Sequence, residues 1–245
     1  MAHAQSFDYQ RRVIAFIDVL GFRQLVTESN TDLSKWEKVT RLIETDKQLE
    51  ECAEKYSLSD VSNVTFFSDS FVISATANNM VFLVREVGYL CRRLLILGLP
   101  CRGAIAVGSV YHHGRIAVGP AFVAAYEMEK NSAIYPRIIL DKGAARSWKK
   151  ECAPDFETSR LRTLIKKGHD GQSFLDIFHP AWFEFIPQAD FIQVPNPIPT
   201  DQANFLKVAS KQIKKGLVQS GNNERVYAKY LWLDSQCNEH LNAGR

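Results

Sequence analysis

Five consecutive apolar residues, Val13, Ile14, Ala15, Phe16 and Ile17, run directly into Asp18, and Gly21 breaks the pattern three positions later. A short run with no polar alternation suits a strand buried in the middle of a sheet. Helical spacing follows: Trp36, Val39, Leu42 and Ile43 recur among charged residues, and Leu49, Cys52, Ala53 and Tyr56 extend the stripe. The β-prone runs 64–67 and 71–74 flank Ser68-Asp69-Ser70, which predicts a hairpin with Asp69 near its tip. Val81, Val84, Val87, Leu90, Leu94 and Leu97 predict a long helix, with Asn78 and Asn79 as cap candidates and Gly98-Leu99-Pro100 as its stop. Strand-like segments follow at 102–107, 110–111 and 115–118, the last two around a His113-Gly114 turn. Gly119-Pro120 then opens a helix to about Lys130, and 135–140 reads as another strand. This order contains the βαββαβ arrangement of ferredoxin-like folds.

The expected fold class is therefore α+β, an antiparallel sheet with helices on one face, formed by residues 10–142. Residues 143–245 read as an extension packed on that core, punctuated by Pro180, Pro187, Pro195, Pro197 and Pro199 before two helices at 201–215 and 223–239. Thirty Lys and Arg against 27 Asp and Glu leave a net charge of +3, too small and too well mixed for a nucleic-acid groove or a polybasic membrane patch. The uncharged run 70–84 has 15 residues, short of the roughly 20 apolar residues of a membrane span. Five cysteines without CxxC or framework spacing predict a reducing, cytoplasmic setting.

Asp18 ends the buried strand and Asp69 sits on a hairpin that pairs beside it in such a sheet, so two carboxylates can converge. Paired hard oxygens suit Mg²⁺ or Mn²⁺, which keep waters and accept phosphate oxygens. Each aspartate alone is also an ordinary strand-end or turn residue. Gly21 lets the strand-to-helix turn approach a ligand, and N–H groups at the start of the following helix face an anion. His112-His113 adjoins a turn glycine and has no Cys or His partner at ligand spacing. The order needed for a Ser/His/Asp hydrolase is absent.

Phe16-Ile17-Asp18-Val19-Leu20-Gly21-Phe22 resembles the F-x-D-x-x-G-F metal motif of class III nucleotidyl cyclases, and Phe67-Ser68-Asp69-Ser70 resembles their second metal-binding hairpin. Arg102-Gly103-Ala104-Ile105-Ala106-Val107-Gly108 is similar to the R-x-G-x-x-x-G strand of that family, and the segment 119–129 to the helix after it. Within the family, these motifs and the tail Lys229-Tyr230-Leu231-Trp232-Leu233 most resemble the Pycsar pyrimidine cyclases of bacterial anti-phage defence. The Gly-Gly-Asp/Glu-Glu-Phe signature of diguanylate cyclases is missing.

The resemblance implies a palm-type catalytic core that converts UTP to 3′,5′-cyclic UMP and pyrophosphate, with CTP as the next substrate. It implies two divalent ions, Mn²⁺ or Mg²⁺, on Asp18, Asp69 and the Val19 carbonyl. It further implies a homodimer with composite active sites and a separate effector that responds to the cyclic nucleotide. Gly21, Phe22, Arg102 and Arg137 are the expected contacts to the nucleotide phosphates, with Arg23 and Arg115 as further cation candidates. The positions of the family's transition-state Asn and Arg hold Val123 and Glu127, and Ser109 stands where a phosphate-binding Arg is expected. Thr65 and Ile116 replace the residues that read a purine, so Thr65, with Tyr56 nearby, is the expected pyrimidine reader. The alternative class is a nucleotide-sensing module that keeps the fold without catalysis.

Overall fold

The computed structural model describes residues 8–55, 62–154, 157–184 and 198–243. The central strand is β1 (Gln10–Val19), followed by α1 (Phe22–Ser29) and α2 (Leu33–Lys55). The hairpin β2 (Ser62–Phe67) and β3 (Ser70–Thr76) comes next, then α3 (Met80–Ile96) and β4 (Cys101–His113). These four strands lie in the order β2-β3-β1-β4 with every neighbour antiparallel, the ferredoxin-like arrangement. β1 pairs on both edges, from Arg12↔Thr76 to Asp18↔Ser70 with β3 and from Gln10↔Val110 to Val19↔Cys101 with β4.

The alternation of a strand divides the apolar run between two faces. Val13, Ala15, Ile17 and Val19 enter the main core with α3, Leu25 of α1 and Leu42 of α2. Ile14 and Phe16 face the other way, into a second cluster with Val72, Ala106, Ala121 and Ala125. The last two belong to α4 (Pro120–Ser132), which follows the short strand β5 (Ile116–Val118). α4 thus lies on the face opposite α1, α2 and α3, where the sequence places all core helices on one side. The connection from β4 through α4 ends in β6 (Ile138–Leu140), which pairs parallel to β4. A parallel pair needs a crossover over one face of the sheet, and α4 covers the face that carries Ile14 and Phe16.

The segment after residue 142 supplies strands as well as helices. α5 (Lys142–Glu151) is capped by Asp141, whose Oδ1 accepts from Ala144 N at 2.5 Å. A 3-10 turn leads to β7 (Ile165–Lys167) and β8 (Ser173–Leu175), which lengthen the sheet to β2-β3-β1-β4-β6-β8-β7. The short helix α6 (Ala181–Glu184) carries Trp182, and the chain closes with α7 (Gln202–Ser220) and α8 (Glu224–Ala243). Phe178, Trp182, Phe205 and Ile213 join the same apolar cluster as β1 and α3. Phe178 and Trp182 are buried there.

α3 starts where expected but is capped differently. Neither Asn78 nor Asn79 caps it; Asn79 Nδ2 donates to Thr76 Oγ1 instead. The open N–H groups of Met80 and Val81 donate to the two carboxylate oxygens of Glu151, both at 3.0 Å. A carboxylate from the end of α5 therefore satisfies the helix start and meets its positive end.

Trp182 is seated on α3 at Gly88. A methyl group there would stand 2.1 Å from Trp182 Cη2. The ring is held in place by its Nε1–H donating to Asp176 O at 2.7 Å and by the Arg92 guanidinium 4.8 Å from its centroid. Gly88→Ala is expected to lower stability in urea unfolding by about 1–3 kcal/mol from overpacking, more than the roughly 1 kcal/mol alanine gains in helix propensity. An unchanged or raised midpoint would show that the ring is free to move.

Candidate functional site

The even-numbered side chains of β1 point to the α4 face, so Asp18, at the strand's last turn toward solvent, opens on the same side as Phe16. Its register partners are Ser70 and Arg102. The β2–β3 turn is tied to the end of β1 by Val19 N donating to Asp69 O at 2.8 Å, and Ser68 takes a left-handed conformation (φ 57°) to make the turn. Asp69 is thereby held beside Asp18, the convergence expected from the sequence. Ser70 Oγ donates to Asp69 Oδ1 at 3.3 Å.

Arg102 organises the carboxylates around it. Its Nε donates to Asp18 Oδ2 at 3.3 Å, and its Nη1 to the Ala133 carbonyl at 3.3 Å. Its Nη2 stands 2.7 Å from Glu129 Oε1, an ion pair with a carboxylate buried on α4. Burial pushes the Asp18 carboxyl up; Arg102 opposes this, and the negative charge of Asp69 adds to it. Glu129 is also raised, first by burial, with Arg102 opposing and Asp18 adding. Lys229, from α8, is lowered by burial and by Arg102 while Asp18 and Glu129 pull it back. Three carboxylates, Asp18, Asp69 and Glu129, therefore share one region with two cations, Arg102 and Lys229.

Glu129 and Lys229 are the members that sequence reasoning did not assign to the site. Glu129 had a signal: Ala121, Ala125 and Glu129 fall at i, i+4 and i+8 and are the buried residues of α4. An acidic residue on the apolar stripe of a helix needs a partner, here Arg102. Lys229 had none, because its place depends on how α8 packs.

The other expected residues are distributed as follows. Gly21 takes φ 78° at the start of α1, a left-handed turn that glycine makes without strain. Phe22 packs against the main core. Arg137 is buried, ion-paired to Asp170, and ringed by Phe174, Tyr135 and Trp232 with centroids at 5.2, 5.6 and 5.8 Å. The structure does not bring Arg137 to the aspartates. Arg23 and Arg115 are exposed, as are Ser109, Ile116, Val123 and Glu127. Tyr56 lies outside the described residues.

Thr65 lies on the α4 side of the sheet in a chain of hydrogen bonds. Its hydroxyl donates to Gly114 O at 2.7 Å and stands 2.9 Å from His112 Nε2. His112 Nδ1 is 2.9 Å from Ser74 Oγ, which accepts from Arg12 Nε at 3.1 Å. With the Thr65 proton on Gly114, the imidazole donates from Nε2 and accepts from Ser74 at Nδ1, a neutral ring whose tautomer follows from the network. Burial, with Arg12 and His113 adding, lowers the His112 pKa to about 4.

Among the described residues no three His, Cys, Asp or Glu side chains gather to hold a metal ion, and no helix is long and apolar enough to cross a membrane. The pair Asp18 and Asp69 has the donor chemistry for a divalent ion that completes its shell with waters and ligand oxygens. Their mutual repulsion is consistent with an added cation.

No protein-family model matches the chain, and no curated protein matches it. Among solved structures, it is similar to the adenylyl cyclase CyaB from P. aeruginosa, at 14% identity and a TM-score of 0.45 over 68% of this chain and 93% of that one. The catalytic core of a rhodopsin-guanylyl cyclase with converted specificity is similar at 14% identity and a TM-score of 0.46, over 70% of this chain and 98% of that one. A bacterial light-regulated adenylyl cyclase is similar at 17% identity and a TM-score of 0.42; there the match covers 57% of this chain and 45% of that one.

The His112 network makes a pH prediction. The ring resists protonation in the folded state down to about 4, while the unfolded chain protonates near 6.5. The unfolded state thus binds the extra proton first, and stability falls as pH drops from about 6.5 toward 4, by at most about 3 kcal/mol from this group. His112→Gln removes that titration. Urea unfolding at several pH values is expected to show a flatter acid limb for the variant; parallel curves would place the acid sensitivity elsewhere.

Proposed function

We propose that this chain is a nucleotidyl cyclase that closes a nucleoside triphosphate to its 3′,5′-cyclic monophosphate, releasing pyrophosphate. The observation that carries the reading is the juxtaposition of Asp18 and Asp69 by the Val19–Asp69 backbone hydrogen bond at the open end of β1. Asp18, Asp69 and the Val19 carbonyl are the residues that would hold two Mg²⁺ or Mn²⁺ ions. Such ions, when bound, lower the pKa of the 3′-hydroxyl and neutralise phosphate charge. In the net reaction the 3′-oxygen bonds to the α-phosphorus, the bond from the α-phosphorus to the bridging oxygen breaks, and the hydroxyl proton leaves to solvent.

The chain's own groups do the positioning. Arg102 orients Asp18 through its Nε and adds positive charge beside it. Lys229 supplies a second cation near the same carboxylates, which matters because Val123, Glu127 and Ser109 carry none. The N–H groups at the start of α1, exposed by the turn at Gly21, suit an anion, and no protein nucleophile is needed.

The same face supports a homodimer with composite sites. Phe67 is 79% exposed, Ile116 57% and Val123 50%, and Val118 and Tyr126 are also exposed. Such apolar surface around a charged site favours cover by a second copy. For the base we infer UTP, then CTP, from the likeness of the motifs to pyrimidine cyclases. Reading by Thr65 requires its hydroxyl to exchange the bond to Gly114 or His112 for one to the base. The role inferred with it is production of a cyclic nucleotide messenger for a separate effector in anti-phage defence.

One observation favours a second reading, a nucleotide sensor without turnover. Arg102 already neutralises Asp18, and a side chain in that place competes with a metal ion. Pyrophosphate release from the four nucleoside triphosphates with Mn²⁺ separates the two readings. UTP is expected to turn over fastest. Cyclic CMP as main product overturns only the order of the pyrimidines, a purine product overturns the pyrimidine assignment, and nucleotide binding without any release leaves the sensor.

Asp18→Ala and Asp69→Ala are each expected to cut the rate more than tenfold, a barrier increase above about 1.4 kcal/mol, with unchanged circular dichroism. Either variant retaining more than a tenth of the wild-type rate would remove the two-carboxylate assignment.

A further inference from the structure

A second concavity lies between the first half of α2, the end of α3 and α7, with a volume of about 840 Å³. This is the size range of small-molecule sites, about 300–1,000 Å³. Its floor is apolar, with Ile96, Leu97 and Val208, and its rim carries four cations, Lys35, Lys38 and Arg41 from α2 and Lys215 from α7, against two carboxylates, Asp32 and Glu37. Asp18 and Asp69 take no part in it.

The rim cations are not equivalent. Lys35 is paired with Glu28 at 2.8 Å, and Arg41 with Glu37. Lys38 and Lys215 have no carboxylate partner among the described residues. The Lys38 ammonium is half-buried against Gly98, where it lies 3.3 Å from the point a Cβ would occupy, next to the Gln212 side chain. Burial, then the like charges of Lys215 and Lys35, lower its pKa. Two neutral amides, Gln212 and Gln219, add hydrogen-bonding groups without adding negative charge.

The sequence of α7 points the same way independently. Over 202–220 it holds four lysines, Lys207, Lys211, Lys214 and Lys215, and no Asp or Glu. Lys207, Lys211 and Lys215 are exposed at i, i+4 and i+8, and like charges at this spacing weaken a helix. An unbalanced ladder beside a half-buried, like-charged lysine is an arrangement that an anion relieves.

We propose that this cleft binds a small molecule carrying a polyphosphate, held through Lys38 and Lys215, with a nucleoside portion on the apolar floor. The cleft contains neither Asp18 nor Asp69 and does not require a divalent ion. A ligand with two or more adjacent negative charges meets both lysines and offsets their mutual repulsion.

The test is titration calorimetry on the full chain at low salt, with EDTA present to keep divalent ions from the Asp18 and Asp69 pair. The probes are inorganic tripolyphosphate and, separately, a nucleoside triphosphate. Both are expected to bind wild-type protein, the nucleotide more tightly, and both to weaken as salt rises. Lys38→Gln and Lys215→Gln are each expected to weaken binding at least tenfold and the double variant to remove it. Asp18→Ala and the exposed control Lys149→Gln should bind as wild type. Because Lys215 is exposed, its substitution tests the site even if Lys38→Gln disturbs the fold. No binding by the wild type, or wild-type affinity in the double variant, overturns the site. Equal affinity for the two probes overturns the nucleoside portion alone. Loss of binding in Asp18→Ala assigns the ligand to the aspartate pair and overturns the separate site.

Discussion

Burial of β1 on both faces is the constraint on which the rest of the structure depends. Its pairing with β3 and β4 satisfies the backbone on both edges, and its side chains divide between two apolar clusters. A strand so enclosed has fixed register, because a slip of one residue would exchange the two faces. The first residue that can reach solvent without leaving that register is at its end, and there the sequence has Asp18. The carboxylate is thus placed by the packing of Val13, Ile14, Ala15, Phe16 and Ile17, and its orientation by Arg102, which comes from the partner strand at the matching register position.

Charge around Asp18 is arranged so that no group there is in its most favourable state. Asp18 and Glu129 are both shifted toward the neutral form by burial, and Lys229 is shifted toward its neutral form by burial and Arg102. A purely structural ion pair is commonly closed, with each oxygen hydrogen-bonded. Here three carboxylates, Asp18, Asp69 and Glu129, share two cations, Arg102 and Lys229, so the cluster carries an excess of negative charge. That excess distinguishes it from the set around Asp176. There Asp176 Oδ2 is met by His240 at 2.9 Å and Lys166 at 3.4 Å while Oδ1 accepts from Phe178 N at 3.1 Å.

The parts of the fold that were legible are those where periodicity runs over several residues. The apolar run of β1, the stripe of α3 and the turn at Ser68-Asp69-Ser70 all specify themselves locally, and their order fixes the ferredoxin-like pairing. β6 falls within the strand read at 135–140, whereas β7 and β8 have three residues each, too short to show a period, and form because an existing sheet edge pairs with them. The capping of α3 was misread because local Asn residues are common caps, whereas Glu151 reaches it from 70 residues away in sequence. At the site the two aspartates were legible from strand and turn chemistry. Glu129 was legible in principle from the face of α4, whereas Lys229 and the engagement of Arg137 by Asp170 depend on tertiary packing alone.

Lys229, near Asp18, and Lys215, in the α2–α7 cleft, meet at one packing joint. Lys215 is followed by Gly216, and the Tyr230 ring sits on that bare backbone so closely that a Cβ would be 2.1 Å from its Cε1. Tyr230 is in turn preceded by Lys229. The seat of one ring on one glycine therefore sets the height of α8 along α7, and with it the position of Lys229 relative to Lys215. Lys229 also edges a smaller cleft of about 410 Å³ that it shares with Gly21, Lys35 and Lys38. Because the α7–α8 pair is buried against α3 through Phe205 and Ile213, it cannot shift at one end alone. The C-terminal helices act as a rigid arm that carries one cation to the carboxylates at the end of β1 and another to the cleft beneath α2.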